Sequence, residues 1–338
     1  MSALSNRYTE LVGIDYPIVQ EGLGPFTTAK IAAAVSQAGG LGTISMPGMP
    51  EDLSQGVRTL RSHIEQCAEA TDKPFAVNLP VGVDHDGRVL PFTDAYIRGV
   101  LEARDSDDAL RKQLTVLTTS AGFPGDYCAM IKDAGLFHQH KVGSTRQARK
   151  AEAAGVDVVL AAGFEMGGHA PASRMHTYVL VPNITESVSV PVLLTGGARD
   201  GRGLAAALAL GADGVALGTR FIVSEENEDW HPHYLQAILE ATEGEDVAFN
   251  GVYGPCRGLR NEASRSLLES EASGGVDEGE KIQSMQRAQS TGDTENGLVL
   301  AGQVASSINE VIRISEFVPQ MAAEAVGIIE QLAGSLRK

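Results

Sequence analysis

The sequence predicts an α/β protein: a (β/α)8 barrel with a small, mainly helical subdomain inserted after the last barrel strand. Three observations predict it. Short apolar runs alternate with helical stretches from the start of the chain to Phe221, as in a parallel sheet with crossover helices. Eight such βα units can be counted, which favours closure into a barrel over an open sheet. Glycine is abundant, 38 of 338 residues against a usual ~7%. These glycines gather where apolar runs end, the place where a barrel needs tight turns.

The elements follow in order. Residues 16–20 (YPIVQ) read as the first strand and the Ala-rich 28–37 as the first helix. A turn and second strand occupy 39–45. Residues 51–70 form an amphipathic helix, with Leu53, Val57, Leu60 and Ile64 at helical spacing. Strands at 75–79, 114–119, 137–142 and 156–160 come next, with helices at 126–134 and 144–154. The run 191–221 is the most regular. An apolar strand at 192–194 closes on Thr195-Gly196-Gly197, an Ala/Leu helix spans 201–210, and an apolar strand at 214–217 closes on Gly218-Thr219-Arg220. From Glu225 to about Asn296 the chain turns polar and acidic, and no βα period survives. An amphipathic pattern returns from Gln303 to Leu336. The expected division is a barrel over 1–225, a small substrate-covering subdomain over 226–299, and C-terminal helices over 300–338 that dock on the barrel.

Composition narrows the partners. A formal charge of −16 argues against nucleic acid or an anionic membrane surface and for a small-molecule substrate. Cys67, Cys128 and Cys256 form no CxxC, so neither a disulfide framework nor a zinc site is suggested. The N-terminus lacks an apolar signal core and no apolar run reaches membrane length. The expected location is the cytoplasm, and a homo-oligomer is compatible with the sequence.

The two glycine turns after the last two strands are where such a barrel holds a phosphate, on backbone N–H groups and a short helix N-terminus. Thr195, Gly196, Gly197, Gly218 and Thr219 are the residues concerned. The loop after the sixth strand, Gly163-Phe164-Glu165-Met166-Gly167-Gly168-His169, lies on the same rim. Gly167-Gly168 lets the backbone pass close to a flat ligand. His169 then sits beside that ligand, where an imidazole near its ordinary pKa of about 6.5 can act as acid or base. Lys141, at the mouth end of the fifth strand, either neutralises charge on a ligand or is a surface lysine. Asn78 either bonds a cofactor or caps the next turn, and Glu21-Gly22-Leu23 poses the same choice. His231-Pro232-His233 lacks a completing ligand at metal spacing, so no metal is expected. His63 and His85 read as surface residues. No P-loop or Rossmann glycine pattern occurs.

Together these residues resemble the nitronate monooxygenase family of FMN-dependent barrel enzymes. The likeness runs through Tyr16-PIVQEGL, Ala38-GGLGT, Phe75-AVNL, His140-KVGS, Gly163-FEMGGH, Leu194-TGGARDGRG, Leu217-GTRF and Gly302-QV. The resemblance implies that the FMN phosphate lies on Thr195, Gly196, Gly197, Gly218 and Thr219. It also implies that the ring rests against Glu21, Gly22 and Leu23, with Lys141 and Gly167 near it and His169 as the active-site histidine. Two departures stand out. The family usually has Ala-Pro-Met where this chain has Glu21-Gly22-Leu23, and Pro80 stands where some members carry a flavin-contacting Thr. The implied activity is flavin-dependent oxidation of an alkyl nitronate or similar carbon acid with O2. The alternatives are reduction of quinones or enoyl thioesters by NAD(P)H, and a non-redox barrel that binds a phosphate ligand.

Overall fold

The computed structural model describes residues 4–336 apart from 49, 51, 84, 85, 87 and 274–276; His85 lies outside them. Eight parallel strands form one sheet: β1 (Ile18–Gln20), β2 (Gly42–Ser45), β3 (Phe75–Val81), β4 (Leu114–Ala121), β5 (Phe137–Val142), β6 (Val158–Ala162), β7 (Val192–Thr195) and β8 (Gly214–Leu217). Their spatial order is β1-β8-β7-β6-β5-β4-β3-β2. The two ends meet through a parallel bridge between Val19 and Leu41, where Gln20 N–H donates to Leu41 O at 2.9 Å and Leu41 N–H donates to Ile18 O at 3.0 Å. The sheet is therefore a barrel.

Side chains alternate along each strand. One set fills the interior with Val19, Leu41, Ala76, Val116, Val158, Leu160, Leu193 and Ala216. Helix Arg7–Val12, which sequence reasoning missed, closes the bottom: buried Tyr8 accepts a hydrogen bond from Gln139 Nε2 at 3.1 Å. The other set packs against the surrounding helices in two larger apolar clusters. The same alternation carries polar residues to the open end. Glu21, Asn78, Lys141, Thr195 and Gly218 sit there because each follows or ends an inward-facing row.

Three further helices lie where none was expected: Pro91–Asp105, Asp108–Gln113 and Thr177–Thr185. The sixth strand starts two residues later than the apolar pattern suggests. Asp157 is held outside the ladder, its carboxylate accepting from His138 N–H at 2.8 Å. His63, expected at the surface, is a buried residue of helix Leu53–Ala70.

After the barrel, helices Pro232–Leu239, Glu262–Ser273 and Glu278–Thr291 are joined by an element the polar texture concealed. This is an antiparallel hairpin of β9 (Asp246–Gly251) and β10 (Gly254–Leu259), whose second strand lies in the middle and pairs also with the two-residue strand Gly168–His169. Phe26, Trp230, Tyr234, Phe249, Cys256, Met285 and Leu298 share one apolar cluster there. Helix Ile314–Ser335 then lies beside helix Gly201–Ala209, where Glu324 accepts from Gly201 N–H at 2.8 Å. Among the described residues no helix is long and apolar enough to cross a membrane.

Candidate active site

The C-terminal mouth of the barrel opens into a cavity of about 400 Å³. Every candidate residue from the sequence lines it: Glu21, Gly22, Leu23, Asn78, Lys141, Gly167, Gly168, His169, Thr195, Gly196, Gly197, Gly218 and Thr219.

The two glycine turns form one wall. Gly196 and Gly197 have φ of +105° and +79°, which an L side chain rarely adopts. A Cβ on Gly196 would also lie 3.2 Å from both Met166 Cβ and Met166 N. Gly218 caps the four-residue helix Thr219–Ile222. Among the described residues the N–H groups of Gly197, Gly218 and Thr219 donate to no other part of the chain, so they remain for a ligand. The Thr195 hydroxyl turns elsewhere: it donates to Glu21 Oε1 at 2.7 Å and lies 3.0 Å from Ala216 O.

Glu21 and Lys141 meet across the mouth. Lys141 Nζ lies 2.9 Å from Glu21 Oε2, and both side chains are mostly buried. The lysine is thus neither a free surface residue nor an unpaired cation for a ligand, because the carboxylate that distinguishes this chain faces it. Beside the pair, Gly22 packs on Asn78 so tightly that a Cβ would lie 2.5 Å from Asn78 Nδ2. Asn78 Oδ1 is buried without a hydrogen-bond partner. An orphaned acceptor costs about 1–3 kcal/mol, which a ligand donor would recover.

His169 differs from its expected state. Burial first, then the nearby Lys141 and Lys281, push its pKa down to about 4 rather than leaving it near 6.5. The ring is therefore neutral at physiological pH. Its Nε2 accepts a hydrogen bond from Val252 N–H at 3.1 Å, and Tyr253 packs against it with ring centroids 5.1 Å apart.

Sequence reasoning missed the hairpin residues Val252 and Tyr253. The signal was present: Val247 and Phe249 alternate before Gly251-Val252-Tyr253-Gly254, a two-residue turn between glycines. It missed Glu165 too. That carboxylate is buried, accepts from Thr177 N–H at 2.9 Å, and has Oε2 3.1 Å from His176 Nδ1. Its place inside GFEMGGH was the clue. Trp230 and Tyr234 roof the cavity in an edge-on stack with Phe26. Gly302 completes the wall: its N–H donates to Thr219 Oγ1 at 3.0 Å, and a Cβ on Gly167 would lie 2.5 Å from its nitrogen.

Free N–H groups for a phosphate, an orphaned acceptor at Asn78 and a roofed, largely apolar chamber fit a phosphorylated flavin. The comparisons agree. The nitronate monooxygenase family model matches residues 5–324. A probable nitronate monooxygenase of Staphylococcus saprophyticus is 33% identical over 298 residues, covering 79% of this chain and 81% of that protein. The (3aS,4S,5R,7aS)-5-hydroxy-7a-methyl-1-oxo-octahydro-1H-indene-4-carboxyl-CoA dehydrogenase of Mycobacterium tuberculosis is 35% identical over 272 residues, or 78% of this chain and 68% of that protein. The structure of FabK from Thermotoga maritima superposes with a TM-score of 0.87 at 35% identity, over 98% of this chain and 99% of that one. The chain belongs to the nitronate monooxygenase family and is a flavin-dependent oxidoreductase.

Proposed function

We propose that this enzyme uses FMN to oxidise an alkyl nitronate or a similar electron-rich carbon acid, with O2 as the final acceptor. FMN would supply the redox chemistry, taking electrons from the substrate and passing them to O2. The N–H groups of Gly197, Gly218 and Thr219 would hold its phosphate, and Asn78 and the Glu21–Lys141 pair would border its ring. Residues 226–299 would cover a small-molecule substrate and exclude water from it. His169 would orient the substrate by donating to its oxygen and manage the proton during turnover.

One observation carries this reading: a neutral imidazole faces the cavity that both glycine turns line. A nitronate brings a negative oxygen and has already lost its carbon-bound proton, so it asks for a donor rather than a strong base. A second reading draws on the M. tuberculosis relative, whose name specifies a carboxyl-CoA substrate. A thioester carbonyl would accept the same hydrogen bond, with NAD(P)H as the electron source.

The test is anaerobic. Flavin-loaded protein is mixed first with an alkyl nitronate, then, in a separate sample, with NADH or NADPH, while flavin absorbance is followed. Rapid bleaching by the nitronate is expected. Bleaching by a nicotinamide at low concentration with none by the nitronate overturns the first reading in favour of the second.

A further inference from the structure

We propose that the turn of the β9–β10 hairpin fixes the tautomer of His169. The Val252 N–H occupies Nε2, so the imidazole carries its proton on Nδ1 and offers it to the cavity as a hydrogen-bond donor. This deepens the reading above, because it rests on His169 facing the substrate.

A backbone amide only donates, so the ring nitrogen 3.1 Å from Val252 N must present its lone pair. A neutral ring with a lone pair at Nε2 has its hydrogen on Nδ1. Nδ1 bonds to no other described residue and is not among the buried, unpartnered atoms, and the ring lines the cavity. The groups around the imidazole oppose a second proton. Lys141 faces it from β5 and Lys281 from helix Glu278–Thr291, while from the hairpin the uncharged Tyr253 and Cys256 face it, and the charged Arg257 and Asp246 there pair with each other.

The hairpin is built for this approach. Cys256 pairs with His169 and Arg257 with Gly168, and Ala170 N–H donates to Pro255 O at 2.8 Å. Arg257 braces the hairpin by pairing with Asp246 of the other strand, and ties it down by donating to Phe164 O at 3.1 Å in the loop that carries His169. Gly251 is needed at the contact: a Cβ there would lie 2.7 Å from His169 Nε2 and 2.7 Å from Cys256 Cβ. Val252 is thus a positioning residue acting through its backbone, and its side chain is incidental. It follows that, among the described residues, the mouth holds no free imidazole lone pair to abstract a carbon-bound proton in the resting enzyme.

The test reads the tautomer directly, by two-bond 1H–15N correlation on histidine-labelled, flavin-loaded protein at pH 7, with His169 assigned through H169Q. Protonated Nδ1 and bare Nε2 are expected in the wild type. V252P removes the single N–H at the first central turn position and puts the proline Cδ where the amide hydrogen was, so the turn can no longer donate to Nε2. It should shift the tautomer ratio at least about fivefold toward Nε2–H, the factor corresponding to one hydrogen bond, and move the pH profile of kcat/KM to higher pH. V252A keeps the N–H and should keep the wild-type tautomer. A wild-type spectrum with Nε2 protonated overturns the proposal, as does a V252P variant with unchanged tautomer and pH profile. H169Q separates this from the functional reading. Turnover unchanged in H169Q removes His169 from the reaction, turnover lower by ~10²–10⁴ supports its role there, and in either case the spectrum alone decides the tautomer.

Discussion

At the scale of residues, the site is governed by groups that neutralise one another. The Glu21 carboxylate holds Lys141 at 2.9 Å and the Thr195 hydroxyl at 2.7 Å. Removing one member of a mostly buried pair leaves the other charge desolvated, which costs more than the pair's net worth. Because Lys141 keeps some access to the cavity, E21A should lower unfolding free energy by about 1–3 kcal/mol, read from the urea midpoint. The E21A/K141A double variant should cost less than the sum of the two single changes. A fully additive double variant would contradict the coupling. The sequence pointed to both residues as candidates at the barrel mouth. It did not reveal that they face each other, because the pairing joins strands far apart in the chain.

At the scale of elements, the barrel strands were legible because each is a short apolar run ended by glycine or a polar turn. The helices that escaped notice broke a local rule for a tertiary reason. In Pro91–Asp105, Gly99 interrupts an otherwise periodic apolar face, yet a Cβ there would lie 2.6 Å from Val57 Cγ1 of the neighbouring helix. Thr177–Thr185 is rich in β-branched residues and contains Pro182, so it reads as strand or loop until packing decides otherwise. The hairpin was hidden by the polar, acidic texture around it, and its Gly251 serves the close approach to His169. The glycine turns were legible in full, and they are the most sensitive elements. G196A forces a side chain into φ +105° and against Met166, at about 1–3 kcal/mol. It should retain the circular dichroism of the parent but bind flavin at least tenfold more weakly in equilibrium titration. Undiminished flavin binding would remove this turn from the phosphate site.

At the scale of the whole molecule, buried histidines couple stability to pH. Between the sheet and its helices, Thr119 Oγ1 lies 2.8 Å from both His138 Nε2 and His140 Nδ1, and both imidazoles are buried. Burial, the larger cause in each case, lowers His138 to about 3 and His140 to about 4; His169 lies at about 4, and His63 is also lowered. In the unfolded chain these groups titrate near 6.5. The unfolded state therefore binds more protons between pH 6.5 and about 4, and stability must fall as pH falls through that window. Each histidine contributes at most about 1.4 kcal/mol per pH unit. Urea unfolding at pH 7.5, 6 and 5 should show midpoints that decline from about pH 6.5 downward; equal midpoints at pH 7.5 and 5 would mean the histidines are not buried as described.

The central claim is that the two glycine turns and the chamber beside them hold a phosphorylated flavin. The most direct measurement is the absorbance of the purified protein, followed by heat release and chromatography of the chromophore. The account predicts a yellow protein carrying one FMN per chain, or a colourless one that takes up one equivalent on addition. A protein that arrives without flavin and ignores added FMN would contradict it.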